Sequence, residues 1–181
     1  MTTQLSDSEK IVIREVFINP HVNFEDIATI LKAERERKKK KDQRFQNEVD
    51  VRTISKFKSV GLKKIRQGLE QLADTSRLDR SIQDKEEEAR LEILQRNGIL
   101  YGHDFRIDRK VYILYSLEEG FILWQEHVCN IKCQVQCDEI LNLIRKEHGL
   151  DELTNGKLTR EKFEDTFDEI VEREKQGKKE E

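Results

Sequence analysis

Four side chains within eleven residues carry donor atoms suited to soft-metal or thiol chemistry: His127, Cys129, Cys133 and Cys137 spell H-x-C-x₃-C-x₃-C. Thiolate sulfur and imidazole nitrogen are ligands of zinc, and cysteine sulfurs hold iron–sulfur clusters. The spacing matches none of the usual zinc or ferredoxin patterns. On one continuous helix the first and third cysteines stand about 12 Å apart at 1.5 Å per residue. A free cysteine is most often a small buried apolar side chain. No metal is therefore expected; Cys129, Cys133 and Cys137 are the candidate ligands were one to bind, with a thiol redox sensor as a further alternative. The odd count of three cysteines argues against a disulfide framework. No phosphate-cradling glycine loop, GxSxG elbow or HExxH pair occurs, and the eight glycines are scattered. No enzyme and no cofactor are expected.

Charge offers a second kind of chemistry. The 181 residues carry 34 Lys+Arg against 37 Asp+Glu, a net charge of −3, and hydrophobic residues make up 35%. No uncharged apolar run approaches the ~18 residues that a membrane span needs, and the first ten residues lack a signal-peptide pattern. The expectation is a soluble, cytoplasmic protein with no membrane partner and no obvious small-molecule ligand. The near balance of charge hides an uneven distribution. Residues 32–66 hold fourteen basic and five acidic side chains, while every other stretch is mildly acidic. Local field steers association with a polyanion more than the total does. The candidate cations are Arg35, Arg37, Lys38, Lys39, Lys40, Lys41 and Arg44, then Lys63, Lys64 and Arg66 with Gln67 beside them.

Those residues need elements to position them. Ser6 with Glu9 forms a capping box before Val12, Ile13, Val16 and Phe17, and Asn19-Pro20 stops that first helix. Asn23 caps a second helix carrying Phe24, Ile27, Ala28 and Leu31. Beyond it the run Ala33–Arg44 has no large apolar side chain, so it is a solvated helical extension or a disordered insertion. Asp50 caps a stretch with Val51, Ile54 and Phe57, which Gly61 interrupts. Leu62, Ile65, Leu69 and Leu72 then predict a helix over 60–73. Residues 74–97 read as an acidic helix closed by Asn97-Gly98. Alternation over 104–116, with Phe105, Ile107, Val111, Ile113 and Tyr115, predicts a β-hairpin. Phe121, Trp124, Val128, Ile131 and Val135 keep a 3-4-3-4 seam that continues through Ile140, Leu141 and Ile144, which predicts one helix of nearly thirty residues. A last amphipathic helix is expected over 159–175, capped by Thr159.

The segments LSDSEKIVIREVF, VNFEDIATILK, LKKIRQGLEQL and RNGILYGHDFRID resemble the N-terminal winged helix-turn-helix of archaeal and bacterial regulators, nearest to the Lrp/AsnC type. In that family a glycine-containing strand start of the form "GvI-Gy-x-x-x-iD" follows the third helix, and Asn97 through Asp108 is similar to it. Two departures stand out: residues 33–58 lie where the family has a tight turn, and an acidic stretch separates the third helix from the strand. The C-terminal part reads as helical rather than as the family's βαββαβ sensing domain, so amino-acid sensing is not carried over.

The expected fold is mainly α with one β-hairpin: a winged helix-turn-helix domain over 1–117 with a basic insertion at 33–58, then a helical C-terminal region over 118–181 serving dimerisation. The expected function is a DNA-binding transcriptional regulator acting as a homodimer on double-stranded DNA. The third helix enters the major groove through Lys63, Lys64, Arg66 and Gln67, and Arg106, Arg109 and Lys110 form the wing contacts. The Arg35–Arg44 run adds sequence-independent affinity. Phe121, Trp124, Val128, Ile131 and Val135 are the expected dimer seam. The alternative is a winged-helix protein-interaction adaptor or RNA-binding module without sequence-specific DNA binding.

Overall fold

The structure is a computed structural model that describes residues 4–39, 49–82, 84–127, 131–153 and 158–176. The first helix, α1 (Asp7–Ile18), starts on the expected capping box: Ser6 Oγ accepts the Glu9 N–H at 3.3 Å, and Glu9 Oε2 accepts the Ser6 N–H at 2.8 Å. Reciprocal bonds of this kind satisfy two amide groups that a helix start leaves unpaired. Asn23 Oδ1 accepts the Glu25 N–H at the head of α2 (Phe24–Lys39). Leu31 is the last buried apolar residue of α2, yet the helix continues through Lys39.

The third helix departs from expectation. Asp50 caps it through the Thr53 N–H, and α3 (Val51–Thr75) then runs unbroken through Gly61. That glycine does not end the helix; it admits a neighbour. A Cβ there would stand 2.9 Å from Ile13 Cγ1 on α1, so the missing side chain lets two helices approach closely. Gly68 works in the same way against the Phe121 ring, where a Cβ would meet Cζ at 2.0 Å.

The acidic helix is shorter than 74–97. The chain leaves α3 at Ser76, takes a left-handed turn at Arg77 (φ 56°), and pairs Asp79 with His103 in an isolated antiparallel bridge. α4 (Lys85–Arg96) starts only after the Asp84 cap, and Gly98, at φ 77°, leads out of it. An antiparallel sheet follows: β1 (Ile99–Asp104), β2 (Arg109–Ser116) and β3 (Gly120–Gln125), in the order β1-β2-β3. Ile99 faces Leu114, and Tyr112 faces Trp124. The expected two-stranded hairpin is thus longer and has a third strand. The nearly thirty-residue helix does not exist: its first part is β3, and α5 (Ile131–Glu147) begins only beyond it. α6 (Thr159–Gln176) completes the described chain, with Thr159 as its first residue.

β2 is buried from Val111 to Ser116 because both sheet faces are covered. On one face Tyr112 and Trp124 rest on α6, with the Trp124 and Phe163 rings stacked at 3.8 Å and Tyr112 5.2 Å from Phe167. On the other, Tyr115 and Phe121 meet edge to face, and Phe121 seats on Gly68 of α3. A smaller apolar cluster joins α1, α2 and the start of α3 through Val12, Val16, Ile27, Leu31 and Ile54.

The expected division at residues 117 and 118 is not a boundary between cores. It falls between two paired strands, and the main cluster joins residues from Leu5 to Val171. Arg90 on α4 binds Glu164 and Asp168 of α6, and Arg173 Nη2 donates to the Ile18 carbonyl at 2.8 Å. The described chain is mainly helical with one small three-stranded antiparallel sheet. None of the described helices is long and apolar enough to cross a membrane.

Candidate nucleic-acid interface

From Val51 to Leu69, α3 carries six cations and no carboxylate. At 100° per residue, Arg52, Lys56, Ser59, Lys63, Arg66 and Gln67 fall on one stripe, and all six are exposed. The opposite face holds buried Ile54, Gly61, Ile65, Gly68 and Leu69, which fix the helix on α1 and the sheet. The stripe from Arg52 to Arg66 is about 21 Å long at 1.5 Å per residue. Among the described residues Lys63 makes no hydrogen bond or ion pair, whereas Arg66 pairs with Glu70 one turn on. That exposed pair is easily exchanged for a phosphate, since its net worth is about 0–1 kcal/mol. Arg52 and Lys56 were not among the residues expected from sequence. Their signal is the same 4-3-4-3 spacing that leads to Lys63 and Arg66, visible once Gly61 is taken as a packing position inside one helix.

Lys64 has a different role. Its Nζ lies 2.7 Å from Glu9 Oε2, and that carboxylate is almost wholly buried. Burial pushes the Glu9 carboxyl up, but the Lys64 ammonium and the Ser6 N–H outweigh it and hold the group below its ordinary value of 4.5. Lys64 thus ties α3 to α1 rather than facing outward.

The Arg35–Arg44 run divides. Arg35 donates to Ser8 Oγ at 3.4 Å and Arg37 pairs with Glu34, while Lys38 and Lys39 are the last residues of α2. Lys40, Lys41 and Arg44 lie outside the described residues.

The expected wing cations bind their own chain. Arg106 forks onto Asp104, with Nη2 at 2.6 Å from Oδ2, and donates to the Ser76 carbonyl at the end of α3. Arg109 donates to the Glu126 carbonyl at 3.2 Å. Lys110 Nζ is 3.3 Å from Glu164 and lies over the Tyr101 ring. Burial pushes Glu164 up, but the Tyr112 hydroxyl together with Lys110 and Arg90 reverses this and holds its carboxyl low. The β1–β2 turn instead presents apolar side chains to solvent: Phe105 is 70% exposed and Ile107 42%.

The expected dimer seam is not a helical face. Phe121 and Trp124 sit on β3, and Trp124 is buried in the core of its own chain. Val128 lies outside the described residues, Ile131 begins α5, and Val135 is exposed.

The change from strand to helix brings the thiol and imidazole donors together. Cys133 and Cys137 stand one turn apart on α5 with their sulfurs 3.9 Å apart, and His127, beyond the end of β3, places Nε2 2.7 Å from Cys133 Sγ. One donor atom from each of the three lies within 4.8 Å of the others. The side chains expected to be separate buried apolar groups therefore converge, while Cys129 lies outside the described residues. No family model matches the chain, nor does any curated protein or solved structure.

Proposed function

We propose that this chain is a DNA-binding transcriptional regulator that reads duplex DNA through α3, with α1–α3 and the β1–β2 hairpin arranged as a winged helix-turn-helix. The observation that carries the reading is the exposed, carboxylate-free cationic stripe of α3, Arg52 to Gln67, on a helix whose other face is held by the core. Lys and Arg on such a stripe neutralise phosphates or address guanine edges, and Gln67 has the paired donor and acceptor that an adenine edge requires. The continuation of α2 through Lys39 adds a basic helical arm that supplies sequence-independent affinity. The wing contributes little charge, because Arg106, Arg109 and Lys110 are engaged internally. Paired half-sites need two readers, so a homodimer belongs to this proposal.

The test is a fluorescence-anisotropy titration of labelled duplex DNA over a salt series. Each phosphate contact contributes about −0.9 to the slope of log affinity against log salt. Lys63→Ala with Arg66→Ala should flatten that slope by roughly 2 and lower discrimination between sequences. Absence of duplex binding at ~50 mM salt would overturn the proposal.

A second reading, a winged-helix adaptor that binds protein, is favoured by the exposed Phe105 and Ile107 at the hairpin tip. Phe105→Ser with Ile107→Ser separates the two, since it leaves the salt slope untouched and removes only a protein contact.

A further inference from the structure

His127, just past the end of β3, and Cys133 and Cys137 on α5 are metal-binding side chains that the DNA reading does not use. We propose that His127, Cys133 and Cys137 bind one Zn²⁺ ion, which fastens the end of β3 to the first turns of α5. A tetrahedral zinc centre with Zn–S bonds of about 2.3 Å sets its two sulfurs about 3.8 Å apart. Cys133 and Cys137 hold theirs at 3.9 Å, side by side on one helix face at i, i+4 spacing. The imidazole stands closer, with Nε2 2.7 Å from Cys133 Sγ. A shift of the ring by somewhat under 1 Å gives the N···S distance of about 3.6 Å that a shared ion sets.

The surroundings of the three donors match those of a metal centre. A zinc-bound histidine typically donates its other ring N–H to a carbonyl or carboxylate, which fixes the tautomer. Here Nδ1 of His127 lies 2.5 Å from the Gln125 carbonyl, so the proton belongs on Nδ1 and the Nε2 lone pair faces the sulfurs. Trp124 Nε1–H donates to Cys137 Sγ at 3.2 Å, a bond that strengthens when the sulfur carries negative charge. A thiol that is merely filling apolar space has no use for that donor. Cys133 also lies in the first turn of α5, where the positive end of the helix faces an anionic ligand.

Sulfur and imidazole together select zinc over magnesium or calcium, which take oxygen ligands. Binding exchanges two S–H protons for two Zn–S bonds and releases the protons to solvent, with no change in oxidation state. The three ligands and the ion sum to zero charge, so the desolvation cost at this half-buried position is small. Among the described residues these three are the ligands, and a tetrahedral ion takes a fourth.

The experiment uses the full chain, reduced and stripped of metal, titrated with Co²⁺ as the spectroscopic probe and then with Zn²⁺. The expected result is one equivalent of Co²⁺, a thiolate-to-cobalt charge-transfer band with tetrahedral d–d bands, and displacement by Zn²⁺ with release of about two protons per ion at neutral pH. Cys133→Ser and His127→Asn, both at half-buried positions, should each weaken binding at least ~100-fold with the helical circular dichroism unchanged. Trp124→Phe keeps the ring stack but loses the N–H, and should weaken binding roughly 10-fold. The proposal is overturned by uptake below about 0.2 equivalents, or by a cobalt spectrum that Cys133→Ser and His127→Asn leave unaltered.

Discussion

Lys63 and Lys64 are adjacent in sequence and have opposite roles, which makes them a sharp test of how α3 is used. In Lys64→Met the ammonium 2.7 Å from Glu9 Oε2 is lost, and the carboxylate is left buried with Ser6 as its hydrogen-bond partner among the described residues. Removing one member of a fully buried pair costs about 3–5 kcal/mol. Lys64 keeps 27% of its side chain exposed and Glu9 only 8%, so the expected loss is discounted to about 2 kcal/mol. For a chain of this size that lowers Tm by roughly 4–8 °C in a thermal melt followed by circular dichroism. The pH dependence adds a second readout. Because the folded Glu9 carboxyl lies below its ordinary value, its contribution is present above about pH 4.5 and is lost as pH falls through the folded value. The deficit of Lys64→Met is therefore full at pH 7 and shrinks in acid, where a protonated Glu9 no longer needs the ammonium. Lys63→Met, at an exposed position, should alter stability by no more than ~0.5 kcal/mol while weakening duplex binding. If Lys64→Met melts like the wild type and loses DNA affinity instead, the assignment of the two lysines is wrong.

Two other perturbations follow from particular contacts. Gly68→Ala gains about 1 kcal/mol of helix propensity but drives a methyl group into the Phe121 ring at 2.0 Å, so a net loss of roughly 2 kcal/mol is expected in urea titration. Adding Phe121→Leu should recover part of it, and an unchanged midpoint for Gly68→Ala alone would show that the ring is not seated there. His148 is fully buried against Phe17, and burial, reinforced by Arg173, holds its imidazole below the usual range despite the carbonyls of Ile144 and Asn97. Its contribution is complete above pH 6.5 and falls as acid protonates the ring, so the stability advantage of wild type over His148→Gln should narrow between pH 7 and pH 5. Glu147, pushed up by burial, acts in the opposite sense in both proteins and cancels in that comparison. A difference that is flat with pH would mean His148 does not titrate as its burial dictates.

Local signals carried the start of the fold far. The Ser6–Glu9 box, the Asn23 and Asp50 caps and the Asn97-Gly98 ending all depend on atoms within a few residues, and each is where the sequence puts it. Non-local packing defeated the rest. Gly61 reads as a break because the sequence does not show Ile13 lying against it. Residues 121–125 fit both a helical seam and a strand, since all but the last are apolar and five residues are too few to distinguish the periods. The Glu118-Glu119-Gly120 turn was the signal available, and its cap is the distant Glu147, which accepts from Ser116 Oγ and the N–H groups of Leu117 and Glu118. The same misreading hid the His127–Cys133–Cys137 cluster, because one continuous helix cannot fold His127 back onto the cysteines. Of the expected DNA contacts, exposure keeps Lys63, Arg66 and Gln67 available, whereas the partners of Lys64 and Lys110 lie 55 and 54 positions away. No local pattern announces such pairs.

The bond from Arg173 to the Ile18 carbonyl spans 155 positions, and that distance is also a delay. On a ribosome adding about 5–20 residues per second, α1 waits roughly 8–30 s for the residue that ties its end down. For roughly the last quarter of that time the sheet face bearing Tyr112 and Trp124 has no Phe163 or Phe167 to cover it. The helix α6, made after the sheet, shields the aromatic face from other nascent chains. A chain stalled before it is the form most prone to aggregate, however well α1 to α3 have formed.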